Sequence, residues 1–66
     1  MKLKIDKESD ALYFRIDDSK IVESEEVEKG VILDFNDNGQ VVGIEFLNIS
    51  KRASIDELKN FKFETV

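Results

Sequence analysis

One stretch of the sequence decides the fold: Gly30-Val31-Ile32-Leu33-Asp34-Phe35-Asn36-Asp37-Asn38-Gly39-Gln40-Val41-Val42-Gly43-Ile44-Glu45-Phe46-Leu47. Two apolar runs flank Asn38-Gly39, and Asn-Gly is the preferred pair for a type I′ hairpin turn because both central residues need a positive φ. A hairpin centred on this turn brings large apolar residues of the two runs together on one face. The predicted partners are Phe35 with Val42, Leu33 with Ile44, and Val31 with Phe46.

A second hairpin is predicted near the start of the sequence, where residues 3–5 and 11–17 both alternate between apolar and polar side chains. A loop of the four residues 7–10 makes the apolar faces of the two strands coincide. The predicted partners are then Ile5 with Leu12 and Leu3 with Phe14. The opposite face is polar and is expected to face water; it carries Lys2, Lys4, Tyr13, Arg15 and Asp17.

Residues 18–29 are polar and acidic, and their centre is Glu23-Ser24-Glu25-Glu26. Charged side chains on a short extended segment are typical of a protected edge strand, so we expect a solvated loop or a further strand here. The functional alternative is an acidic docking strip, with Glu23, Glu25 and Glu26 as its candidate contact residues, or a cation site. Free-standing carboxylates without a defined cage bind metal ions weakly, which favours the structural interpretation.

A short helix is predicted to begin at Ser54. Ser54 and Glu57 match a capping box, in which each residue satisfies a backbone N–H of the other. Ile55, Leu58 and Phe61 then fall on one side of a helix of about two turns. This helix is a candidate cover for the sheet.

These elements predict an α+β fold. It consists of a small antiparallel sheet built from two β-hairpins, with about four strands and a possible fifth edge strand, and one short C-terminal helix. We expect a single domain over residues 1–66, with a β core over 1–52 and the helix and tail over 53–66.

The second face of the central hairpin stays partly apolar. It offers Ile32, Val41, Leu47 and Ile49, interrupted by polar residues and a glycine. Three apolar helix residues can cover only part of a sheet, and a chain of 66 residues has a small core. We therefore expect a homodimer that buries these four residues.

The composition disfavours catalysis. The chain has no cysteine and no histidine, which removes disulfides, zinc sites of the usual Cys/His type and the commonest catalytic nucleophile and base. Ser50 and Lys51 are adjacent, so their side chains point in different directions. We expect no enzymatic activity, no catalytic residue and no cofactor.

The charge balance disfavours two classes of partner. The formal net charge is −5 and the pI is near 4.6, and such a surface is repelled by phosphate backbones and by anionic membranes. The first residues alternate charged and apolar side chains, unlike a signal peptide, and nothing approaches the roughly 20 apolar residues of a membrane span. We expect a cytoplasmic protein that binds neither nucleic acid nor membranes.

A calcium-loop pattern overlaps the central hairpin, because Asp34, Asn36, Asn38, Gly39 and Glu45 have the spacing of such a loop. The two carboxylates and the two Asn side chains would then ligate one cation between two helices. The flanking runs instead alternate as strands, and the hairpin register separates the two carboxylates by roughly 7 Å or more. A hairpin is therefore the preferred interpretation, and calcium binding is the weaker alternative.

Three segments of the sequence together resemble a known family. They are Ser9-Asp10-Ala11-Leu12-Tyr13-Phe14-Arg15-Ile16, then Gly30-Val31-Ile32-Leu33-Asp34-Phe35, then Val42-Gly43-Ile44-Glu45-Phe46-Leu47 with Ser50-Lys51-Arg52. In order and spacing they resemble the short prokaryotic proteins of the domain of unknown function 2283 family, from Lys2 to Arg52. The family's pattern favours Asp10, Gly30, Asp34, Gly43 and Glu45. The resemblance implies no established activity, cofactor or catalytic residue.

Three functional hypotheses follow. The first is a self-associating protein-interaction module that forms a homodimer. The second is an antitoxin-like binder of a basic partner protein, guided by the acidic strip; the resemblance implies this, since some family members look as if they are encoded beside small toxin-like proteins. The third is calcium binding at the central hairpin.

Overall fold

The computed structural model describes residues 1–66 and contains one antiparallel sheet of five strands. The strands are β1 (Lys2–Asp6), β2 (Ala11–Arg15), β3 (Glu23–Glu28), β4 (Val31–Phe35) and β5 (Val41–Leu47), and they lie in the order β1-β2-β5-β4-β3. A 3-10 turn (Ile49–Lys51) and the helix α1 (Ile55–Lys59) follow. The predicted α+β fold of antiparallel hairpins with one short helix is confirmed.

The first hairpin has the predicted register. Leu3 pairs with Phe14 and Ile5 with Leu12, so both strands direct their apolar residues to the same face. β2 then continues the sheet beside β5, where Leu12 lies opposite Phe46. The apolar residues of these pairs, in β1, β2 and β5, therefore lie on the same face of the sheet.

The second hairpin keeps the predicted partners up to its turn, where the prediction is wrong. Of the two central residues of the predicted turn, Gly39 has a positive φ (76°) but Asn38 does not, so the turn is not of type I′. The Asn36 carbonyl accepts a bond from Gly39 N at 3.0 Å, as in a three-residue loop that ends in a left-handed glycine. Phe35 consequently pairs with Val41, and Val42 is the extra residue of a β-bulge. The Val42 side chain is buried, with only 1% of its surface exposed.

The possible fifth strand is present at one edge as β3. All six of its residues are exposed, and its register with β4 shifts between Glu26 and Glu28. Gly30 makes the turn into β4 with a φ of 80°, a conformation that favours glycine. Charge, shortness and the bulge together protect this edge from pairing with another strand.

The predicted capping box of α1 is confirmed. Ser54 Oγ accepts a bond from Glu57 N at 3.1 Å, and Glu57 Oε1 accepts one from Ser54 N at 3.0 Å. The helix ends at Lys59, so Phe61 lies beyond it, and none of its residues is buried. The helix is therefore shorter than the predicted two turns, and it buries no residue against the sheet.

The sheet is a single layer with a very small core. The buried apolar residues are Ala11, Val42 and Ile49. The Cα radius of gyration is 12.8 Å, against about 11 Å for a compact domain of this length. None of the helices has the length and apolar composition needed to cross a membrane.

Asp10 ties the first loop to the 3-10 turn. Its carboxylate accepts bonds from Ser50 N at 3.0 Å and from Ser50 Oγ at 2.6 Å, and its carbonyl accepts one from Ile49 N at 3.0 Å. Its φ of 55° lies in the left-handed region that Asp and Asn tolerate better than most residues. This single residue therefore joins two segments that are 40 positions apart.

We expect Asp10→Ala to lower the free energy of unfolding by about 1–3 kcal/mol, because two hydrogen bonds are lost and alanine disfavours a positive φ. Asp10→Asn keeps an acceptor for Ser50 N and tolerates the same φ, so it should cost less than half as much. Urea unfolding of both variants measures the difference, with Glu8→Ala as a loop control. Equal losses in Asn and Ala would contradict the role of this backbone conformation.

Candidate functional site

The polar face of the sheet carries a hydrogen-bonded network centred on Asp34. The Asp34 carboxylate accepts a bond from Tyr13 Oη at 2.8 Å and another from Ser24 Oγ at 2.6 Å. Asp34 lies on β4, Ser24 on β3 and Tyr13 on β2, so the network spans the whole sheet except β1. Arg15 adds a long contact from Nη1 to Tyr13 Oη at 3.5 Å.

Gly43 on β5 makes this network possible. It lies opposite both Asp34 and Arg15, and a Cβ at this position would meet Tyr13 Oη at 2.6 Å and Asp34 Oδ2 at 2.9 Å. The Tyr13 side chain crosses β5 through the space that glycine leaves. The side chains of Tyr13 and Asp34, from the strands on either side of β5, thus approach the Gly43 backbone closely.

Burial raises the pKa of the Tyr13 phenol above its ordinary value, and the hydrogen bond to Asp34 raises it further. The ionised phenolate would lose solvation and would also repel the Asp34 carboxylate. Tyr13 is therefore a neutral donor in this network at physiological pH.

We expect the Tyr13 phenol to titrate at higher pH in the folded chain than in urea. A group whose pKa is raised on folding contributes stability that is present below its unfolded pKa, near 10.0, and is lost as pH rises through the folded pKa. The chain has one Tyr and no Trp, so ultraviolet absorbance of the phenolate reports Tyr13 alone. Tyr13→Phe should abolish this alkaline loss of stability, and equal folded and unfolded midpoints would contradict the expectation.

A shallow hollow of about 340 Å³ lies beside the network on the polar face. It is lined by Lys4, Asp6, Ser9, Ala11, Tyr13, Asp34 and Glu45. Nowhere in the chain do three or more carboxylates converge in a way that could hold a metal ion. The hollow is open and polar, and its Tyr13 and Asp34 side chains are already bonded to each other.

The four calcium-ligand candidates do not form one cage. Asn36 Oδ1 accepts bonds from Asn38 N and Gln40 N, both at 3.0 Å, and so closes the turn. Asp34 is bonded to Tyr13 and Ser24, while Glu45 lies two rungs along β5 from Gly43, opposite Ile32. The spacing that resembles a calcium loop is used here to build a hairpin.

The opposite face of the sheet is apolar, and we call it the apolar face. By register and alternation it carries Leu3, Ile5, Leu12, Phe14, Val31, Leu33, Ile44 and Phe46. All are at least partly accessible, and Leu3 and Ile5 on the edge strand are 39% and 37% exposed. No second layer of secondary structure covers this face.

A groove of about 430 Å³ lies on the apolar face towards β1. Its lining residues are Met1, Lys2, Leu3, Leu12, Phe14, Phe46, Phe61 and Phe63, of which only Lys2 is charged. Near the groove, the Arg52 guanidinium lies over the Phe46 ring at 5.8 Å from its centroid and pairs with Glu28 at 3.5 Å. The four Phe side chains make this the most aromatic part of the molecule.

The predicted interface residues do not form the exposed apolar face that motivated them. Ile49 is buried in the 3-10 turn, and Ile32, Val41 and Leu47 are half-buried. Ile32 lies between Glu45 and Glu26 on the polar face, which separates it from other apolar side chains. The exposed apolar surface lies on the other side of the sheet, where Phe61 and Phe63 join it.

The acidic candidates are on the exposed edge strand, as expected. Glu23 and Glu25 lie opposite Phe35 and Leu33, and Glu26 accepts a bond from Gly30 N at 3.0 Å. Glu26 is therefore engaged within the chain, while Glu23 and Glu25 make no such bond. Sequence reasoning missed the groove, although the alternation Phe61-Lys62-Phe63 signalled an apolar extended segment after the helix.

Comparison with known proteins places the chain among uncharacterised relatives. The profile of the family described as Protein of unknown function (DUF2283) matches residues 2–50. An uncharacterised protein of Methanocaldococcus jannaschii is 42% identical over 72 aligned positions, which cover 100% of this chain and 61% of that relative. The chain thus spans less than two thirds of the length of this relative. No solved structure matches the chain.

Proposed function

The chain belongs to this family of unknown function, and from its fold and surface we propose that it is a non-enzymatic interaction module that self-associates through the apolar face. The observation that carries the proposal is the exposed area. A compact monomer of 7.6 kDa exposes about 4,300 Å², whereas this chain exposes 5297 Å². The excess, about 1,000 Å², is similar to the roughly 800 Å² that each partner buries in a stable interface.

The distribution of apolar side chains supports a second copy as the occupant. A sheet that is apolar on one side is stable when a second layer covers that side, and the chain supplies no such layer. Two copies that meet face to face across a two-fold axis bury the same patch on both, so every contact is made twice. This arrangement converts a single-layer sheet into a two-layer sandwich.

Charge restricts the orientation of such a dimer. β3 carries four glutamates and forms one edge of the sheet, while β1 with Lys2 and Lys4 forms the other. Two β3 strands brought together would repel each other, since like charges at close range are destabilising. A two-fold axis on the β1 and β2 side, where the aromatic groove is, keeps the two β3 strands apart.

The polar face supports the non-enzymatic part of the proposal. Its Tyr13 and Asp34 side chains are bonded to each other, and the phenol is held neutral by a raised pKa. A general base or nucleophile needs a pKa near the working pH, and the raised pKa of the Tyr13 phenol opposes that role. The network has a structural role, because its hydrogen bonds link β2, β4 and β3.

Sedimentation equilibrium and thermal unfolding over a range of protein concentrations test self-association. We expect a monomer–dimer equilibrium in the micromolar range and a melting temperature that rises with concentration, because dimerisation stabilises the folded state by mass action. A monomer at high micromolar concentration, with a melting temperature independent of concentration, would refute the proposal.

A second candidate function is the binding of a basic partner along β3. Val22 and Val27 are exposed beside the glutamates, so this edge combines acidic and apolar groups. Charge of this kind accelerates encounter with a basic protein, and the apolar groups add affinity.

A peptide that alternates lysine and valine is a suitable probe for this edge. Binding that falls at least tenfold in Glu23→Lys/Glu25→Lys would support the second candidate. Glu8→Lys/Asp18→Lys is the matched control, because it changes the net charge equally in loops. An equal loss of binding in both variants would show that only the net charge matters, and it would contradict the second candidate.

A further inference from the structure

The segment after α1 carries two phenylalanines that its own chain leaves largely uncovered. Phe61 and Phe63 line the groove of the apolar face, yet they are 67% and 80% exposed. They alternate with Lys62 and Glu64, as expected for an extended strand-like segment with one apolar side. A large aromatic side chain that remains this exposed at the rim of an apolar groove is suited to contact a partner.

Little else holds this segment in place. The helix before it has no buried residue, and its cap, Asn60, is bonded only within the helix, to the Glu57 and Asp56 carbonyls. The ion pair between Lys62 and Glu64 lies within the segment and is exposed on both sides. Residues 60–66 therefore make no hydrogen bond or ion pair to the sheet of their own chain.

We propose that, in the self-associated form, Phe61 and Phe63 of each copy pack against the apolar groove of the other copy. This inference rests on the proposed self-association and names the contacts that dominate it. Aromatic side chains that are buried at the centre of an interface contribute a large share of binding energy. By two-fold symmetry, the four aromatic residues of one groove meet the same four of the second.

Charge agrees with this arrangement. Lys2 is the only charged residue that lines the groove, and Glu64 is the only acidic residue that follows the two phenylalanines. In this arrangement Glu64 of one copy would follow Phe63 to the edge of the other copy's groove, where Lys2 lies. Opposite charges at the rim set orientation more than they add affinity.

The first test compares a double variant of the two phenylalanines with a double variant of two polar residues in the same segment. Phe61→Ser/Phe63→Ser should weaken dimerisation at least tenfold, while Lys62→Ser/Thr65→Ser should leave the dissociation constant within about twofold, a change of roughly 0.4 kcal/mol. Circular dichroism and urea unfolding at monomeric concentrations show whether each variant folds. An unchanged or tighter dimer in the Phe variant would overturn the inference, because the segment would then only cover its own groove.

The second test uses the absence of tryptophan from the chain. Phe61→Trp keeps an aromatic side chain at the rim and provides a single fluorescent reporter. We expect its emission to shift to shorter wavelength as concentration rises through the dimerisation range, because the indole leaves water. Emission that stays constant while a dimer forms would overturn this inference alone, whereas the absence of any dimer would overturn the proposed function.

Discussion

Leu3→Gln combined with Ile5→Gln is expected to convert the dimer into monomers, raising its dissociation constant by about a hundredfold or more. Both side chains lie on the apolar face at the edge strand, and more than a third of each is exposed in the single chain, which is the part that a second copy would cover. In the dimer, each substitution occurs twice and leaves an amide at a buried contact. Sedimentation equilibrium measures the change directly.

Lys4→Gln is the matched control for this pair. Lys4 lies between the two residues on the same strand, but its side chain is on the polar face opposite Tyr13. The same new side chain on the same strand should therefore leave the dissociation constant within about threefold, or roughly 0.6 kcal/mol. If Lys4→Gln weakened the dimer as much as the double variant does, the interface would lie at the β1 edge itself and not on the apolar face.

Gly43→Ala is expected to lower the free energy of unfolding by about 1–3 kcal/mol, a large fraction of the stability of so small a domain. The added Cβ would lie 2.6 Å from Tyr13 Oη and 2.9 Å from Asp34 Oδ2, so both side chains must move and their hydrogen bond must lengthen or break. Gly43 does not have a positive φ, and the backbone itself therefore accepts alanine. Urea unfolding at several protein concentrations separates this loss from any change in association.

A double-mutant cycle with Tyr13→Phe tests the cause. The phenylalanine lacks the hydroxyl that makes the closest contact, so Gly43→Ala should cost clearly less in that background, giving a coupling energy of about 1 kcal/mol. Asp34→Asn in the wild-type background keeps an oxygen that can accept the hydrogen bond of Tyr13, so it should leave that bond in place. Costs that simply add would show that the glycine is needed for a reason other than the Tyr13 and Asp34 side chains.

The strand pairings could be predicted because they depend on neighbours in sequence. The pairs Leu3 with Phe14 and Leu33 with Ile44 follow from two-residue alternation and short loops. The capping box at Ser54 is equally local. The turn at Asn38-Gly39 was predicted wrongly, because the Asn36 side chain satisfies the backbone of a three-residue loop and removes the need for a second positive φ.

The surfaces could not be predicted in the same way. Ile32 and Leu47 looked like an open apolar face, but the pairing of β4 with both β5 and β3 sets Glu45 and Glu26 beside Ile32. Phe61 looked like part of the helix that covers the sheet, but the helix ends at Lys59. Which side of the sheet stays open depends on where the segment after β5 runs, and no local pattern contains that information.

The amino-acid sequence by itself determined the class of fold, the strand pairings of the two hairpins away from the Asn38-Gly39 turn, the acidic character of residues 23–28 and the family. These features arise from turn chemistry, alternation and capping within a few residues of one another. Only the tertiary structure decided that Tyr13 bonds Asp34 across Gly43, that Asp10 holds Ser50, and that four phenylalanines share one groove. Those contacts join residues far apart in the chain, so they exist only once five strands have taken their order in one sheet.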